Sequence, residues 1–285
     1  MSAGPAAGIV PAAGFGAALS GRRVLNGALV AAAGLGSVFY PPALAFILAI
    51  IATFGIIELR NLARRAGGDF SLPVSLCGSL AYVILPLLGQ LQRFESALVG
   101  FIVLGSLLSA FRHGTATFFE RSSRTAFAAL YLGKPLSYFL LLDKSGSVVH
   151  GIAITIWTIV VVALTDIVGM VVGLRIGRTP LAPHLSPRKT WEGAIAACLV
   201  ATGAATLLAQ APQIAAPWWL GLLFGFAVSC AAVVGDLVES ALKRNAHVKD
   251  SGEIMPGHGG VLDRFDSYLV AGFIAYTVLG AAGRL

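Results

Sequence analysis

Long apolar runs dominate this chain and constrain its fold more than any other feature. A helix needs about 20 residues to cross the roughly 30 Å hydrocarbon layer of a membrane, and runs of about that length recur along the sequence. Only 12% of the 285 residues are charged, whereas a soluble domain carries about a quarter. The sequence therefore predicts an all-α, polytopic transmembrane helical bundle. The predicted spans are 24–40, 43–58, 72–89, 96–111, 125–142, 151–174, 192–209, 217–240 and 266–282.

The fifth span, 125–142, is the weakest of the nine because Lys134 and Pro135 interrupt it. Charge asymmetry favours keeping it, since cytoplasmic loops of membrane proteins collect Lys and Arg. Nine spans with a cytoplasmic N-terminus place nearly all of the 20 basic residues on the cytoplasmic side. The exceptions are Arg93, Lys134, Lys144 and Arg284. Without the fifth span the asymmetry disappears, so we predict nine spans with the C-terminus outside.

The chain divides into three regions by composition. Residues 1–21 are rich in Ala, Gly and Pro and are expected to form a flexible N-terminal tail. Residues 22–150 contain the N-terminal transmembrane helices, and 151–285 form a C-terminal transmembrane catalytic region that holds the longer polar loops. The net charge of +7 does not indicate nucleic-acid binding, because no basic stretch is interleaved with stacking aromatic residues. We expect a multi-pass protein of the bacterial inner-membrane type, surrounded by membrane lipids.

Two polar features belong to the sixth and seventh spans. Asp166 lies inside an apolar span, where a carboxylate costs about 2.5–3.5 kcal/mol at the membrane centre and usually has a partner and a function. The segment 186–193, S-P-R-K-T-W-E-G, begins the seventh span. We expect Ser186 to cap this helix with Pro187 at its first position, and a helix start beside Lys189 favours anions. The alternatives are a structural hydrogen bond or ion pair within the bundle for Asp166, and an ordinary cap with positive-inside charges for 186–193.

The inner end of the eighth span carries acidic and basic groups on one helical face. Asp236, Glu239, Ser240 and Lys243 fall at positions i, i+3, i+4 and i+7, so they share that face. Two carboxylates one turn apart, followed by the cations Lys243 and Arg244, suit a metal bound to a polyphosphate. Hard oxygen ligands of this kind favour Mg²⁺.

The loop after the eighth span is rich in glycine and leads into a second pair of carboxylates. Glycines surround His258 and allow the backbone to approach a ligand closely or to take a positive φ. Asp263 and Asp266 follow, one turn apart, at the start of the ninth span. Each polar segment alone is compatible with a solvated loop.

Alternating helix directions bring all four polar features to the same membrane face, where carboxylates and cations can share one cleft. Such a cleft is typical of phosphoryl or nucleotidyl transfer, in which catalysis is mostly positioning and electrostatics. The chain contains no GxxxxGK[ST] segment, so it is not a P-loop ATPase.

At these residues the chain resembles the phosphatidate cytidylyltransferase (CDP-diacylglycerol synthase) family. The resemblance rests on S-P-R-K-T-W-E-G at 186–193, G-D-L-V-E-S-A-L-K-R-N-A-H-V-K-D at 235–250 and P-G-H-G-G-V-L-D-R-F-D at 256–266. It covers about residues 160–270. The resemblance implies an enzyme of phospholipid biosynthesis that converts CTP and phosphatidate into CDP-diacylglycerol and pyrophosphate. It also implies Mg²⁺ dependence and a nine-helix bundle, while a second cation and a homodimer stay open. The charge asymmetry of the loops, for its part, predicts an active site that faces the cytoplasm.

The resemblance also implies roles for individual residues. The leading metal ligands are Asp236 and Asp263, with Asp266, Glu239 and Asp166 in support. The cations expected to act in catalysis or to bind phosphate are Lys189, Lys243, Arg244, Lys249 and Arg264. The residues expected on the nucleotide side are Ser186, Lys189, Thr190, Glu192, Lys249, His258, Gly259, Gly260 and Arg264.

One position departs from the family pattern. Many members have Ala-Tyr three and four residues after the aspartate that corresponds to Asp166, where this chain has Gly169 and Met170. The change removes a ring and a hydroxyl near the expected cleft. It bears on the lipid substrate and leaves the reaction class intact.

Two alternative functions follow from these observations. The leading one is a related CTP-dependent enzyme that acts on another lipid phosphate. The second is a membrane transporter, because intramembrane charge also marks ion pathways. Against transport, the charged residues cluster at one face and no second half of the chain mirrors the first.

Overall fold

The chain forms a bundle of long helices joined by short connections. The computed structural model describes residues 32–252 and 259–285. The helices are α1 (Pro41–Arg65), α2 (Leu72–Leu87), α3 (Leu91–Phe111), α4 (Phe118–Asp143), α5 (Val148–Ile176), α6 (Trp191–Ala209), α7 (Trp218–Asn245) and α8 (Leu262–Ala281). An antiparallel hairpin of two strands, β1 (Pro180–Ala182) and β2 (Ser186–Thr190), lies between α5 and α6.

Each predicted span from 43–58 onwards coincides with one helix. Within the described residues, 6 helices are long and apolar enough to cross a membrane, so the predicted all-α, polytopic membrane fold is confirmed. The shorter α2 is not one of them, and neither is α8. The predicted first span, 24–40, lies mostly outside the described residues, as does the tail 1–21. The count of nine spans and the cytoplasmic N-terminus therefore stay predictions.

The weakest predicted span is a continuous helix, α4, which runs through Pro135 without a break. The Nζ atom of Lys134 lies 2.5 Å from Oε1 of Glu95 on α3. A charged side chain in an apolar span is tolerated when it has a partner of opposite charge. The Lys134–Glu95 pair therefore explains how this helix carries a lysine.

Successive helices run in opposite directions, so the connections divide between two ends of the bundle. At one end, the Arg124 guanidinium at the start of α4 occupies the space that a side chain at Gly68 would need. Arg124 and Leu242 of α7 line the same small cavity there. At the opposite end, Lys144 Nζ donates hydrogen bonds to the carbonyl oxygen atoms of Pro86 (3.0 Å) and Leu87 (2.7 Å). We call the end with Arg124 the site end.

Glycines bring α5 and α6 into close contact at the site end. A Cβ atom added at Gly193 would lie 2.7 Å from the carbonyl oxygen of Gly169 and 3.2 Å from the Cα atom of Gly173. Small residues at a helix crossing let backbones approach in membranes, where packing drives helix association. This close crossing fixes the start of α6 next to the end of α5.

The predicted Ser186 cap of the seventh span is wrong, because residues 186–190 form strand β2. Ser186 pairs with Ala182, and Thr190 pairs with Pro180 in the antiparallel ladder. Extended backbone therefore continues to Thr190, whose hydroxyl accepts a hydrogen bond from the Gly193 N–H (3.2 Å) and caps α6. The cap has moved by four residues because the strand pairing holds 186–190 out of the helix.

Candidate active site

Three carboxylates from two helices meet at the site end of the bundle. One oxygen each of Asp236, Glu239 and Asp266 lies within 4.8 Å of the others, the one such acidic group found among the described residues. Glu239 is fully buried, Asp266 is buried, and the Asp236 side chain is 32% exposed. We call Asp236, Glu239 and Asp266 the carboxylate triad.

The triad forms because α7 and α8 touch at a glycine. Asp236 and Glu239 are one turn apart on α7, and Gly235 precedes them. A Cβ atom at Gly235 would lie 2.5 Å from the carbonyl oxygen of Asp266 and 3.1 Å from the Cα atom of Ser267. Only a residue without a side chain allows this approach, so Gly235 sets the distance between the two acidic segments.

Two lysines reach the triad from different elements. Lys189 on β2 forms an ion pair with Asp236, and Lys243 on α7 forms one with Glu239. Lys243 Nζ also donates a hydrogen bond of 2.6 Å to Oδ1 of Asp263. The structure therefore brings together part of the predicted constellation, namely Lys189, Asp236, Glu239, Lys243, Asp263 and Asp266.

Asp263, expected to be a leading metal ligand, is not part of the triad. Its Oδ2 accepts hydrogen bonds from the Ser251 N–H (2.9 Å), the Ser251 hydroxyl (2.9 Å) and the Gly260 N–H (2.8 Å). With Lys243 on its other oxygen, this carboxylate holds the two ends of the loop that links α7 to α8. Its assignment as a metal ligand stays a prediction, and the geometry favours Glu239 and Asp266 beside Asp236.

Asp166 is linked to the triad by a hydrogen bond with Ser267, the residue after Asp266. The Ser267 hydroxyl donates a hydrogen bond of 3.1 Å to Oδ1 of Asp166, which joins α8 to α5. Met170, one turn further along α5, is 59% exposed. An added Cβ at Gly169 would make ordinary contacts of 3.6 Å or more, so the departure at these two positions alters an exposed surface and leaves the packing intact.

Several residues expected on the nucleotide side make contacts within the protein. Glu192 accepts hydrogen bonds from the N–H groups of Arg178 and Thr179, each at 3.1 Å, and closes the base of the hairpin. Arg244 donates from Nε to the carbonyl oxygen of Leu185 (3.0 Å) and from Nη1 to that of Val248 (3.1 Å). These side chains hold the hairpin and the end of α7 in place, and their contact with a nucleotide stays a prediction.

The remaining predicted residues lie around the loop between α7 and α8. Lys249 is exposed in this loop, and Arg264 is exposed in the first turn of α8. Gly259 has the expected positive φ, +81°, whereas Gly260 is buried. His258 lies outside the described residues.

The sequence analysis did not identify Glu58, which lies on α1 at the site end, as a candidate site residue. Its side chain is 1% exposed and accepts hydrogen bonds from the Ser251 hydroxyl and from the N–H groups of Val261 and Leu262. The available signal was a single acidic residue at the end of the span 43–58, where a carboxylate usually has a partner.

The triad has the chemistry of a divalent-cation site. Apart from the ion pair with Lys243, neither oxygen of the buried Glu239 has a hydrogen-bond partner among the described residues. Lys243 compensates the charge of Glu239 and Asp263 together, and buried carboxylates stay costly unless enough positive charge accompanies them. Clustered carboxylate oxygens are the hard ligands that Mg²⁺ prefers, so the residues present fit such an ion.

Comparisons with known proteins point in the same direction. A model described as "Cytidylyltransferase family" matches residues 21–282. A phosphatidate cytidylyltransferase of Bacillus subtilis (strain 168) is 39% identical over 151 residues, which are 53% of this chain and 55% of that protein. One of Helicobacter pylori (strain ATCC 700392 / 26695) is 33% identical over 178 residues, 62% of each chain. Phosphatidate cytidylyltransferase 4, chloroplastic, of Arabidopsis thaliana is 37% identical over 157 residues, 55% of this chain and 40% of that protein. The matched part of the chain spans about half the length of these relatives.

Proposed function

The chain belongs to the cytidylyltransferase family, and on that basis we propose that it transfers the cytidylyl group of CTP to phosphatidate. A phosphate oxygen of phosphatidate attacks the α-phosphorus of CTP, and the bond from that phosphorus to the bridging oxygen of the β-phosphate breaks. The products are CDP-diacylglycerol and pyrophosphate. A phosphate monoester is already a competent nucleophile near neutral pH, so the protein's task is positioning and charge stabilisation.

The observation that carries this proposal is the meeting of the carboxylate triad with Lys189 and Lys243 at one end of a membrane-spanning bundle. Lysine ammonium groups attract phosphate oxygens, and preorganised cations stabilise the charge that develops on a departing pyrophosphate. Lys189 comes from β2 and Lys243 from α7 itself, so two different elements bring positive charge to the triad.

The triad is our proposed site for Mg²⁺. Asp236, Glu239 and Asp266 would hold the ion, with Asp166 beside them through Ser267. When bound, Mg²⁺ supplies positive charge to the phosphate oxygens of the nucleotide. The ion pairs of Lys189 with Asp236 and of Lys243 with Glu239 offset part of the negative charge of the triad.

The position of the site suits one lipid and one water-soluble substrate. The site end lies where α5 and α7 end and α6 and α8 begin, which is where membrane helices meet the aqueous phase. We propose that this end faces the cytoplasm of a bacterial-type inner membrane, because the basic residues of the sequence concentrate in the loops at that end.

One observation favours a second candidate, a CTP-dependent enzyme for another lipid phosphate. Met170 lies one turn from Asp166 on α5, is 59% exposed and stands where many family members have tyrosine. A flexible thioether in place of an aromatic hydroxyl changes which lipid can pack beside the cleft. The reaction at phosphorus is the same for both candidates.

The test uses the purified full chain in detergent–lipid micelles with labelled CTP, Mg²⁺ and a panel of lipid phosphates. We expect CDP-diacylglycerol from phosphatidate, lost when EDTA is added. Product from another lipid phosphate but not from phosphatidate would support the second candidate. A folded protein that yields no product with any lipid would rule out both.

A further inference from the structure

The buried carboxylate of Glu58 joins α1 to the start of α8. Its Oε1 accepts a hydrogen bond from the Val261 N–H (2.9 Å), and its Oε2 accepts one from the Leu262 N–H (2.8 Å). The donors are 203 and 204 residues away in the sequence.

Glu58 performs a task that α8 cannot perform for itself. The first N–H groups of a helix have no partner within the helix, and a side chain just before the helix usually accepts their hydrogen bonds. Here the capping position is Val261, which makes no side-chain cap. A carboxylate near a helix start is also favoured by the helix dipole, so Glu58 caps α8 from a different helix.

The same carboxylate closes the loop between α7 and α8. The Ser251 hydroxyl lies 3.1 Å from Oε2 of Glu58 and 2.9 Å from Oδ2 of Asp263. A hydroxyl has one hydrogen to donate, so Glu58 and Asp263 share a single donor at the point where the loop begins. Glu58 and Asp263 thereby act on the same loop end.

Two glycines make room for this arrangement. A Cβ atom at Gly252 would lie 2.6 Å from Oε1 of Glu58, and one at Gly260 would lie 2.6 Å from Oε2. Both ends of the loop therefore pass directly over the carboxylate. A side chain at either glycine would push the loop away from Glu58. The two glycines therefore make room for this carboxylate, a role that is separate from any contact with a ligand.

From these contacts we propose that Glu58 is a positioning residue of the active site. It holds the first turn of α8 and both ends of the loop 251–260, and so places Asp266 in the carboxylate triad and Asp263 against Lys243. This inference rests on the proposed function for its kinetic consequences, while its structural consequence is independent of the reaction.

The test compares Glu58→Gln with Glu58→Asp and with a control, Glu95→Gln. Glutamine keeps the shape but points an N–H₂ group at one of the two backbone donors. Aspartate keeps the charge and shortens the side chain. Glu95→Gln removes a carboxylate from the Lys134 pair in α3, away from the site, and accounts for general loss of stability.

We expect Glu58→Gln to lower kcat at least 10-fold and to raise the Mg²⁺ concentration for half-maximal rate, with a smaller effect on KM for CTP. Glu58→Asp should restore part of the rate. Glu95→Gln should keep both values within about 2-fold of the unmodified chain. A Glu58→Gln protein with normal kcat and normal Mg²⁺ dependence would overturn the proposal. A loss of activity in proportion to the loss of folded protein would overturn it as well.

Hydrogen exchange of the full chain in micelles supplies a readout that needs no activity. The backbone amides of residues 259–266 should exchange at least 10-fold faster in Glu58→Gln than in the unmodified chain. Their exchange rates should be unchanged in Glu95→Gln. If Glu58→Gln fails to fold, Ser251→Ala takes its place, because it removes only the shared hydroxyl. Its amides at residues 259–266 should also exchange faster, by a smaller factor. Unchanged exchange in these variants would overturn the proposal, whereas an unmodified chain that makes no CDP-lipid would overturn only the proposed function.

Discussion

The Nζ atom of Lys243 on α7 lies 2.6 Å from Oδ1 of Asp263 on α8. The same ammonium group pairs with Glu239 one turn back along α7. All three side chains are largely buried, with exposed fractions of 14% for Lys243, 11% for Asp263 and 0% for Glu239. Lys243 is therefore an electrostatic link between two helices as well as a candidate phosphate-binding cation.

Loss of Lys243 should affect both stability and turnover. Removing one partner of a buried ion pair leaves an uncompensated charge, which costs about 3–5 kcal/mol. We expect Lys243→Met to lower the free energy of unfolding by about that amount, measured by denaturant or thermal unfolding in micelles, and to abolish turnover. Adding Glu239→Gln should recover part of the stability and none of the activity. A Lys243→Met protein as stable as the unmodified chain would contradict this account of the pair.

Asp236 is the most exposed member of the triad, so its loss should affect chemistry more than folding. We expect Asp236→Asn to reduce CDP-lipid formation by about 100-fold or more, because preorganised charge at a reacting phosphate is a large part of catalysis. The melting temperature should change little. The control is Asp143→Asn at the opposite end of the bundle, which should keep full activity. Full turnover in a folded Asp236→Asn protein would remove this residue from the mechanism.

Lys189 pairs with Asp236 from strand β2 and should act mainly on the nucleotide. We expect Lys189→Ala to raise KM for CTP by about 10-fold, equivalent to about 1.4 kcal/mol of binding free energy. Initial rates over a range of CTP concentrations measure this change. Lys144→Ala, which removes a cation bound to α2 carbonyl groups at the other end, should leave KM unchanged. An unaltered rate at limiting CTP in Lys189→Ala would count against nucleotide binding by this lysine.

Gly193 should tolerate no side chain, because α5 and α6 cross there. A Cβ atom would meet the carbonyl oxygen of Gly169 at 2.7 Å, and overpacking of this kind costs about 1–3 kcal/mol. We expect Gly193→Ala to lower the melting temperature in micelles. Gly203 on the same helix has nothing within 4 Å of an added Cβ, so Gly203→Ala is the matched control and should leave stability equal or slightly raised. Equal melting temperatures for the two variants would mean that α5 and α6 can move apart to accept the extra methyl group.

The connection between α1 and α2 should make stability depend on acid pH through Asp69. Burial raises the pKa of Asp69, but hydrogen bonds and charge from Arg60 outweigh this and hold the pKa well below its usual range. A carboxyl with a depressed folded-state pKa stabilises the fold above its unfolded pKa, about 3.9, and loses that contribution as pH falls further. Asp69→Asn should therefore destabilise the protein by about 1 kcal/mol at pH 7.

The difference in melting temperature between Asp69→Asn and the unmodified chain should shrink below about pH 4. Glu120→Gln serves as the control, since Glu120 is 62% exposed and forms only an i,i+4 pair with Arg124. Such surface pairs contribute little. A difference for Asp69→Asn that stays constant down to pH 3 would show that the Arg60 contact does not depend on the charge of the carboxyl.

Periodic and local features of the sequence predicted most of the described fold. Apolar run length located the helices, and charge asymmetry retained α4 despite Lys134, whose partner Glu95 lies on α3. The spacing of Asp236 and Glu239 predicted one helical face, and both belong to the triad. These predictions depend on residues that are near one another in the chain.

Contacts between distant segments could not be predicted in this way. The pairing of 186–190 with 180–182 overrides a plausible helix cap at Ser186, because strand pairing depends on the partner segment. Asp263 and Asp266 look equivalent in sequence, yet the N–H groups of Ser251 and Gly260 donate to Asp263 and not to Asp266. Glu58 accepts hydrogen bonds from Val261 and Leu262, and no local sequence pattern predicts that contact.

The bond between Glu58 and α8 also bears on how the protein is made. Because its backbone partners follow 203 and 204 residues later, Glu58 enters the membrane long before they are synthesised. At about 5–20 residues per second, a ribosome needs roughly 10–40 s to reach them. During that interval the carboxylate lacks these two donors and has to stay near the aqueous boundary. Insertion of α8 is then the step that withdraws Glu58 from water, so assembly of the site end waits for the synthesis of α8.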